Sequence, residues 1–304
     1  KYLLPEKGQF YKANLHCHTK LSDGAYSPEE VKELYKSLGY SVVAYTDHDI
    51  LIPHDDLNDE SFLALHGFEV EINENYVDEF KFVKSCHICF VGIDPENITQ
   101  PMWHREMYLF GNAPKSRELV TYDENEPDYV REYTCEKISD MMRIGREKGF
   151  FVTYNHPHWS MLTSPEIENE NPYHAVEIMN YGAEWMENTG DGTVFWTEML
   201  YRGCRLWGGG GDDNHNSQPL DSLYSDSFGG WTVVKAADRS PDAIIEALKS
   251  GSFYTSTGPS IYDFYVEDDE VHVVCSPCQR IYVGGEHRAH QHIVGRHVAE
   301  YVTR

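Results

Sequence analysis

Two histidines, His16 and His18, stand two residues apart at the end of a predicted strand, and Asp23 follows five residues later. Residues i and i+2 of a strand point to the same face, so both imidazoles can reach one metal ion. The turn Ser22-Asp23-Gly24 can bring a carboxylate back over the same place. This spacing predicts one corner of a metal centre whose other ligands come from elsewhere in the chain.

Candidate ligands recur at or near the C-terminal ends of later predicted strands. A single histidine in such a position is more often structural, but a series in chain order favours one shared site. In parallel α/β barrels, this is the face on which sites are built. Histidine, aspartate and glutamate without cysteine are typical of catalytic metal sites. The candidates are His16, His18, His48, Glu69, His87, His156, Asp213 and His215.

A strand, a helix and a second strand position the first of these residues. Gln9–His16 and Ser41–Thr46 are the predicted strands. The helix between them starts after Ser27, has proline at its first position and acids in its first turn, and ends at Gly39. The order predicts a parallel βαβ unit and therefore an α/β fold.

We predict two domains in the 304 residues. Residues 1–257 form the α/β barrel, with an insertion at about 93–134, and residues 258–304 form a small β appendage. The insertion is rich in aromatic residues, so we expect it to pack on the barrel and wall the pocket. Stacking of its aromatics on a base or sugar is an open alternative.

Strands of the appendage are expected at Ile261–Val266, Val271–Cys275 and Arg280–Val283, with a turn at Ser276-Pro277. We interpret its histidines as a solvated strand face, with a metal patch as the alternative: His272, His287, His290, His292 and His297. Two C-x-x-C pairs are too far apart for a zinc ribbon and favour buried thiols: Cys86/Cys89 and Cys275/Cys278.

Composition excludes several classes of partner. The net charge is −25, which disfavours long nucleic-acid duplexes and anionic membranes. No apolar run reaches the roughly 18 residues of a membrane span, and the first residues show no signal-peptide pattern. Seven cysteines, an odd number, favour reduced thiols and a cytoplasmic location. A homo-oligomer remains open.

Taken in chain order, these motifs resemble the PHP (polymerase and histidinol phosphatase) superfamily of metal-dependent phosphoesterases. The resemblance covers about residues 10–257. Asp212 departs from the family, which commonly has serine there. The matching segments are His16-Cys17-His18, Ser22-Asp23-Gly24, Thr46-Asp47-His48, Gly67-Phe68-Glu69, His87-Ile88-Cys89, His156-Pro157 and Gly211-Asp212-Asp213-Asn214-His215.

The resemblance implies a distorted (βα)7 barrel that holds two or three divalent ions of zinc, manganese or iron. One ion would be held by His16, His18, Glu69 and Asp213. Glu69 would bridge to a second ion that His87 and His156 also hold, and a third would be bound by Asp23, His48 and His215.

The implied activity is hydrolysis of a small anionic substrate, a phosphomonoester or a nucleotide-like molecule, by a hydroxide that bridges two ions. The positive charge of three divalent ions would exceed the negative charge of the Asp23, Glu69 and Asp213 carboxylates, so the pocket would be positive. Metal-dependent hydrolysis of a carbamate, ester or amide is one alternative. A non-catalytic metal-binding module is the other.

Three neighbouring residues are further candidates. Asp47 precedes His48 and either orients a ligand as a catalytic residue or is a turn acid. His158 is a candidate for a substrate contact or for proton donation to the leaving group. Lys20, inside the first loop, is a candidate phosphate contact.

Overall fold

The computed structural model describes most of the chain, including every candidate ligand of the predicted metal centre. Two appendage histidines, His287 and His290, lie outside the described residues. The described residues are 1–74, 84–163, 167, 173–284 and 291–303.

One large sheet carries the site. Its strands are β1 Gln9–Asn14, β2 Val42–Tyr45, β3 Leu63–Asn73, β4 Ser85–Gly92, β5 Phe150–Tyr154, β6 Ala175–Asn180, β7 Trp207–Gly211, β8 Trp231–Ala236 and β9 Phe253–Ser256. The α-helices of the described residues are α1 Pro28–Ser37, α2 Ala113–Ser116, α3 Cys135–Glu147, α4 Tyr181–Glu187, α5 Thr193–Tyr201 and α6 Pro241–Ser250.

The sheet has the strand order β7-β6-β5-β4-β3-β2-β1-β8-β9 and is almost closed. At the closing edge Gly210 N donates to Thr232 Oγ1 at 3.1 Å, and Thr255 Oγ1 donates to Gly208 O at 3.0 Å. The predicted α/β class and distorted barrel are therefore confirmed. The sheet is mixed, however, because β4 runs antiparallel to both β3 and β5, and β8 runs antiparallel to β1.

The predicted βαβ unit is present. Strands β1 and β2 pair in parallel, with Ala13 beside Val42. Helix α1 begins at a capping box in which Ser27 and Glu30 each bond the other's backbone N–H. Its buried face, which includes Val31 and Tyr35, packs against the sheet. The strand ends that carry His16 and His48 are thereby fixed side by side.

The insertion packs through its aromatic residues, as expected. Trp103 stacks on Tyr122 with ring centroids 5.6 Å apart, and both belong to a hydrophobic cluster that includes Ile50 in the loop after β2. A buried ion pair joins the same two regions, since Arg131 Nη2 lies 2.6 Å from Asp49 Oδ1. The insertion is thus fixed to the loop that carries His48.

The appendage is a three-stranded antiparallel sheet of β10 Ile261–Glu267, β11 Glu270–Val283 and β12 Gln291–Thr303. The predicted turn at Ser276-Pro277 is wrong, because β11 continues through it. The register of β11 against β12 shifts on either side of Cys278, so Pro277 lies in an irregular stretch, where its missing N–H is tolerated. The domain boundaries remain a prediction.

Two further expectations concern membranes and cysteines. In the described ranges, no helix has the length and apolar character needed to cross a membrane. The seven cysteines all lie in the described ranges, and no disulfide joins any of them.

The fully buried ring of Phe90 stacks on Phe68, with centroids 4.9 Å apart, in the core beneath the site. Phe90→Ala should lower the free energy of unfolding by about 3–5 kcal/mol, because it removes buried surface and leaves a cavity. Phe10→Ala, at a ring that is 39% exposed, is the control and should cost much less. Urea unfolding measures both variants, and equal losses would contradict this description of the core.

Candidate metal centre

All nine predicted ligands lie together at one rim of the barrel. His16 and His18 follow β1, and the next loop returns Asp23 to the same place. The loops after β2, β5 and β7 supply the others outside the strands: His48, His156, Asp213 and His215. Glu69 lies within β3, and His87 lies within β4.

His87 reaches this rim by a different route from the one predicted. It lies near the N-terminal end of β4. If β4 were parallel to its neighbours, that end would lie at the opposite end of the barrel. Since β4 is antiparallel to β3, its first residues lie beside the last residues of β3, with His87 opposite Glu71. Glu69 likewise precedes the strand end, because β3 continues to Asn73.

The ligand atoms form three overlapping groups. Within each group, one atom from every residue lies within 4.8 Å of the others. Glu69, His18 and His48 each belong to two groups. Ions bound in neighbouring groups would therefore share ligands. The groups are His16, His18, Glu69 and Asp213; His18, Asp23, His48 and His215; and His48, Glu69 and His87.

His156 lies at the edge of this arrangement. Its Nε2 is 3.7 Å from Glu69 Oε1 and 3.8 Å from Asp213 Oδ2. Its ring stacks beside that of His16, with centroids 5.9 Å apart, and meets that of His87 edge-on at 4.9 Å.

Divalent ions fit this donor set. His16 Nε2 and His18 Nε2 lie 3.1 Å apart, and both lie within 3.1 Å of Asp213 Oδ1. Nitrogen ligands on a tetrahedral zinc ion would be about 3.3 Å apart. Asp213 Oδ1 and His48 Nδ1 are also buried without a hydrogen-bond partner. Buried polar atoms normally have partners, and an ion would supply one here.

The close packing of imidazoles and carboxylates shifts the pKa values of the cluster strongly. Burial lowers the pKa of His16, but Asp213 and Glu69 outweigh it and hold that pKa well above the usual range. Burial raises the pKa of Glu69, but His16 and His87 bring it well below its usual range. Burial and the neighbouring His18 lower the pKa of His48 to about 3. Metal binding would release protons from the raised imidazoles.

Sequence reasoning missed Glu177, a buried carboxylate on β6. Its Oε1 lies 2.9 Å from His16 Nδ1, and its Oε2 accepts from the backbone N–H of His156 at 3.0 Å and from Asn180 Nδ2 at 2.9 Å. A carboxylate behind a metal-binding histidine fixes the tautomer and orientation of the ring. A charged residue between Val176 and Ile178 in an apolar strand was the available signal.

Amides orient the ligand carboxylates. Asn155 Nδ2 donates to Glu69 Oε1 at 2.6 Å, and Asn180 Nδ2 donates to Asp213 Oδ2 at 3.0 Å. Asp213 itself has a φ of 54°, and His156 has a φ of 26°. Non-glycine residues rarely adopt this left-handed region, and such strain clusters at functional sites.

Asp212 has a structural role that is separate from that of Asp213. Its carboxylate accepts from Tyr35 Oη at 2.9 Å and from three successive backbone N–H groups, those of Phe228, Gly229 and Gly230. It therefore ties the end of β7 to α1 and to the segment before β8. Asp213 keeps its place among the ligands.

Asp47 forms hydrogen bonds to the loop after β1 and is not among the described residues that line the cavity. It is buried, and its oxygens accept from Thr19 N at 2.8 Å, Thr19 Oγ1 at 2.7 Å and Ser22 Oγ at 2.6 Å. These bonds hold the loop that carries Asp23. Of the two predicted roles, orienting a ligand or acting as a turn acid, these bonds favour an indirect form of the first, in which Asp47 positions Asp23 through the loop.

The structure also does not bring His158 or Lys20 to the site. The side chain of His158 is exposed, and the next residue, Trp159, lines the cavity instead. Lys20 Nζ pairs with Glu30 Oε2 at 3.0 Å on the outer surface, beside the start of α1. A sequence position beside a predicted ligand does not determine which way a loop side chain points, and the roles of His158 and Lys20 stay predictions.

A cavity of about 500 Å³ opens above the ligands. Two aromatic rings line it beside the histidines. The ring centroid of Phe110 lies 5.5 Å from that of His48. The centroid of Trp159 lies 5.3 Å from that of His87 and 4.9 Å from that of His156. Helix α4 forms another wall. The remaining lining residues are Asp23, Glu69, Glu71, Gly182, Ala183, Met186, Glu187, Asp213, His215, Ser217 and Asp226.

Glu69 and Glu71 provide a matched pair, since both line the cavity but only Glu69 belongs to the ligand groups. After chelation and reloading with manganese, Glu69→Gln should bind fewer ions per chain than the parent, because it loses a ligand of two groups. Glu71→Gln should bind as many as the parent. Elemental analysis by plasma mass spectrometry measures both, and equal losses would contradict the assignment of Glu69.

Glu177→Ala should weaken metal binding by about ten- to hundredfold, the effect usual for a residue that orients a ligand. The physical reason is that the His16 ring would lose the acceptor for its Nδ1 proton. Glu177→Gln retains an acceptor oxygen and should recover part of the loss. Competition with a chelator of known affinity measures each variant, and unchanged affinity in Glu177→Ala would rule out the positioning role.

No protein-family model and no curated protein matches this sequence. Among solved structures, it is similar to a two-domain protein of Bacteroides vulgatus that contains a predicted PHP-like metal-dependent phosphoesterase. That match has 15% identity and a TM-score of 0.48, covering 99% of this chain and 88% of the other.

Two other matches are weaker. A candidate metal-dependent phosphoesterase of Bifidobacterium adolescentis has 17% identity and a TM-score of 0.42, covering 72% and 92% of the two chains. An amidohydrolase of Chromobacterium violaceum, with bound sulfate and no metal, has 16% identity and a TM-score of 0.39, covering 69% and 92%. The structural neighbours of this chain thus include a protein with a predicted PHP-like metal-dependent phosphoesterase and a second, candidate metal-dependent phosphoesterase.

Proposed function

We propose that this protein is a metal-dependent hydrolase of the PHP type whose substrate is a small phosphoester. The observation that carries the proposal is the convergence of eight histidine and carboxylate side chains in three overlapping ligand groups at one cavity, with His156 at their edge. Adjacent ion sites that share ligands suit displacement at phosphorus, which needs charge compensation at both the entering and the leaving oxygen.

Bound divalent ions would supply an activated water and neutralise charge on the substrate. The chain's own side chains would perform the remaining tasks. Glu177 and Asn155 hold His16 and Glu69 in position. Trp159 and Phe110 pack edge-on against the rings of His87 and His48 at the cavity and hold those rings in position.

The charge of the cavity narrows the substrate class. Six carboxylates line it, from Asp23, Glu69, Glu71, Glu187, Asp213 and Asp226, and none of the described lining residues is Lys or Arg. The expectation of a positive pocket counted only three of these acids. With all six, three divalent ions leave the lining close to neutral. We therefore propose a substrate with a single phosphoryl group and an uncharged organic part, and not a polyphosphate.

The same charge balance favours one second candidate. An ester, carbamate or amide carries no charge of its own, so a nearly neutral pocket does not oppose it. The ion chemistry that attacks phosphorus also polarises a carbonyl group. Carbonyl hydrolysis is therefore the alternative against which phosphoester hydrolysis must be tested.

A purely structural or sensing metal site is less consistent with the geometry. Such sites are closed by protein ligands on all sides. Here the cavity leads to the ligands, and the side chains of Asp213 and His215 retain 14% and 29% exposure. We propose that this access admits substrate.

The test compares substrates on the protein loaded with manganese, zinc or iron. We expect hydrolysis of aryl phosphomonoesters or diesters and weak or no hydrolysis of ATP. His48→Ala should lose most of this activity, because it removes a side chain that two ligand groups share. Leu119→Ala, on the outer surface, is the control. If only aryl esters or carbamates turn over, the phosphoester assignment is wrong; if nothing turns over, the enzyme assignment is wrong.

A further inference from the structure

The two C-x-x-C pairs have opposite geometries. Cys86 and Cys89 lie on β4, whose register with β3 is unbroken from Ser85 to Val91. Residues three apart on a regular strand point to opposite faces. Accordingly Cys86 packs in the core, whereas Cys89 lies on the site side, where it accepts from Asn155 Nδ2 at 3.1 Å. These two sulfurs cannot meet without breaking the sheet.

Cys275 and Cys278 have the same spacing, yet their sulfurs lie 4.0 Å apart. The difference lies in the ladder between β11 and β12. Val274 pairs with Glu300 and Cys278 with Val298, so four residue steps on β11 face two on β12. The two extra residues form a bulge, which breaks the alternation of faces and turns both thiols to one side.

We propose that Cys275 and Cys278 are a thiol-oxidation site that a small disulfide, such as oxidised glutathione, converts to an intramolecular disulfide. This proposal is independent of the metal centre. A disulfide bond of about 2.05 Å requires the two sulfurs to approach by about 2 Å. The bulge already brings the two sulfurs to one side of β11, so the strands on either side can stay paired.

The reaction proceeds by two exchanges. The Cys278 sulfur, the more exposed of the two, loses its proton and attacks one sulfur of oxidised glutathione, forming a mixed disulfide and releasing one glutathione thiolate. The Cys275 sulfur then loses its proton and attacks the Cys278 sulfur, releasing the second thiolate. Both thiolates take up the protons. Two cysteine thiols are oxidised and one glutathione disulfide is reduced, so atoms and electrons balance.

Burial supports this order of events. Cys275 is 7% exposed and packs with Val273, Ile281 and Val298 in the small core of the appendage. Burial raises the pKa of its thiol, which makes it a poor first nucleophile. It is well placed to act second, because its partner sulfur is already in contact.

The experiment incubates the folded 304-residue chain with oxidised glutathione, blocks the remaining thiols with a maleimide and digests the chain without reduction. We expect the peptide bearing Cys275 and Cys278 to lose two hydrogens and to escape labelling. Dithiothreitol should restore both thiols. The pair Cys86 and Cys89, which shares the spacing but not the geometry, should remain reduced and provides the internal control.

Two variants separate a cooperating pair from two independent thiols. Cys275→Ser should accumulate a glutathione adduct on Cys278, because the second thiol is missing. Cys278→Ser should leave Cys275 unmodified. A lasting glutathione adduct on Cys278 in the parent protein, with Cys275 still reduced, would overturn the proposal, and so would complete resistance of both thiols in the folded chain.

Discussion

The candidate metal centre depends on one buried charge, the carboxylate of Glu69, which is 1% exposed. An isolated carboxylate in such a place would lose several kcal/mol of hydration energy. Here Asn155 donates to it, and four imidazoles lie within 3.4 Å of its oxygens: His16, His18, His48 and His87. Because β3 holds Glu69 in the middle of the sheet, the neighbouring strands must bring their histidines to it.

A second layer of acids keeps these ligands in place without touching the cavity. Asp47 fixes the loop after β1, Asp212 fixes the end of β7, and Glu177 fixes the ring of His16. Each is buried, and each accepts several hydrogen bonds, many of them from backbone N–H groups. Part of the large negative charge of this chain therefore stabilises the loops and the histidine ring around the site. Bonds of this kind restrict the rotation of loops that would otherwise be free to move the ligands.

Much of this could be predicted from the sequence, and the failures have physical causes. The ligand residues were identified because strand patterns end beside them, and that signal is local. The direction of β4 is set by its antiparallel pairing with β3, and the residue pattern of a strand does not give its direction, so the route of His87 to the site was not predicted. The side chains of Lys20 and His158 turned outward because loop conformation, and not sequence proximity, decides their direction. Glu177 resembled an ordinary strand residue, since only the fold places it behind His16.

The pairing of β1 with β8 has a consequence for the growing polypeptide. During synthesis, β1 is followed by one neighbour, β2, after about thirty residues, but its other neighbour begins only at Trp231. The loops that hold Asp213 and His215 are also made late. A nascent chain therefore exposes His16, His18 and their acidic neighbours long before the barrel can close around them. The complete set of candidate ligands therefore comes together only after β7 and β8 have been made. An ion bound earlier would contact only some of these side chains.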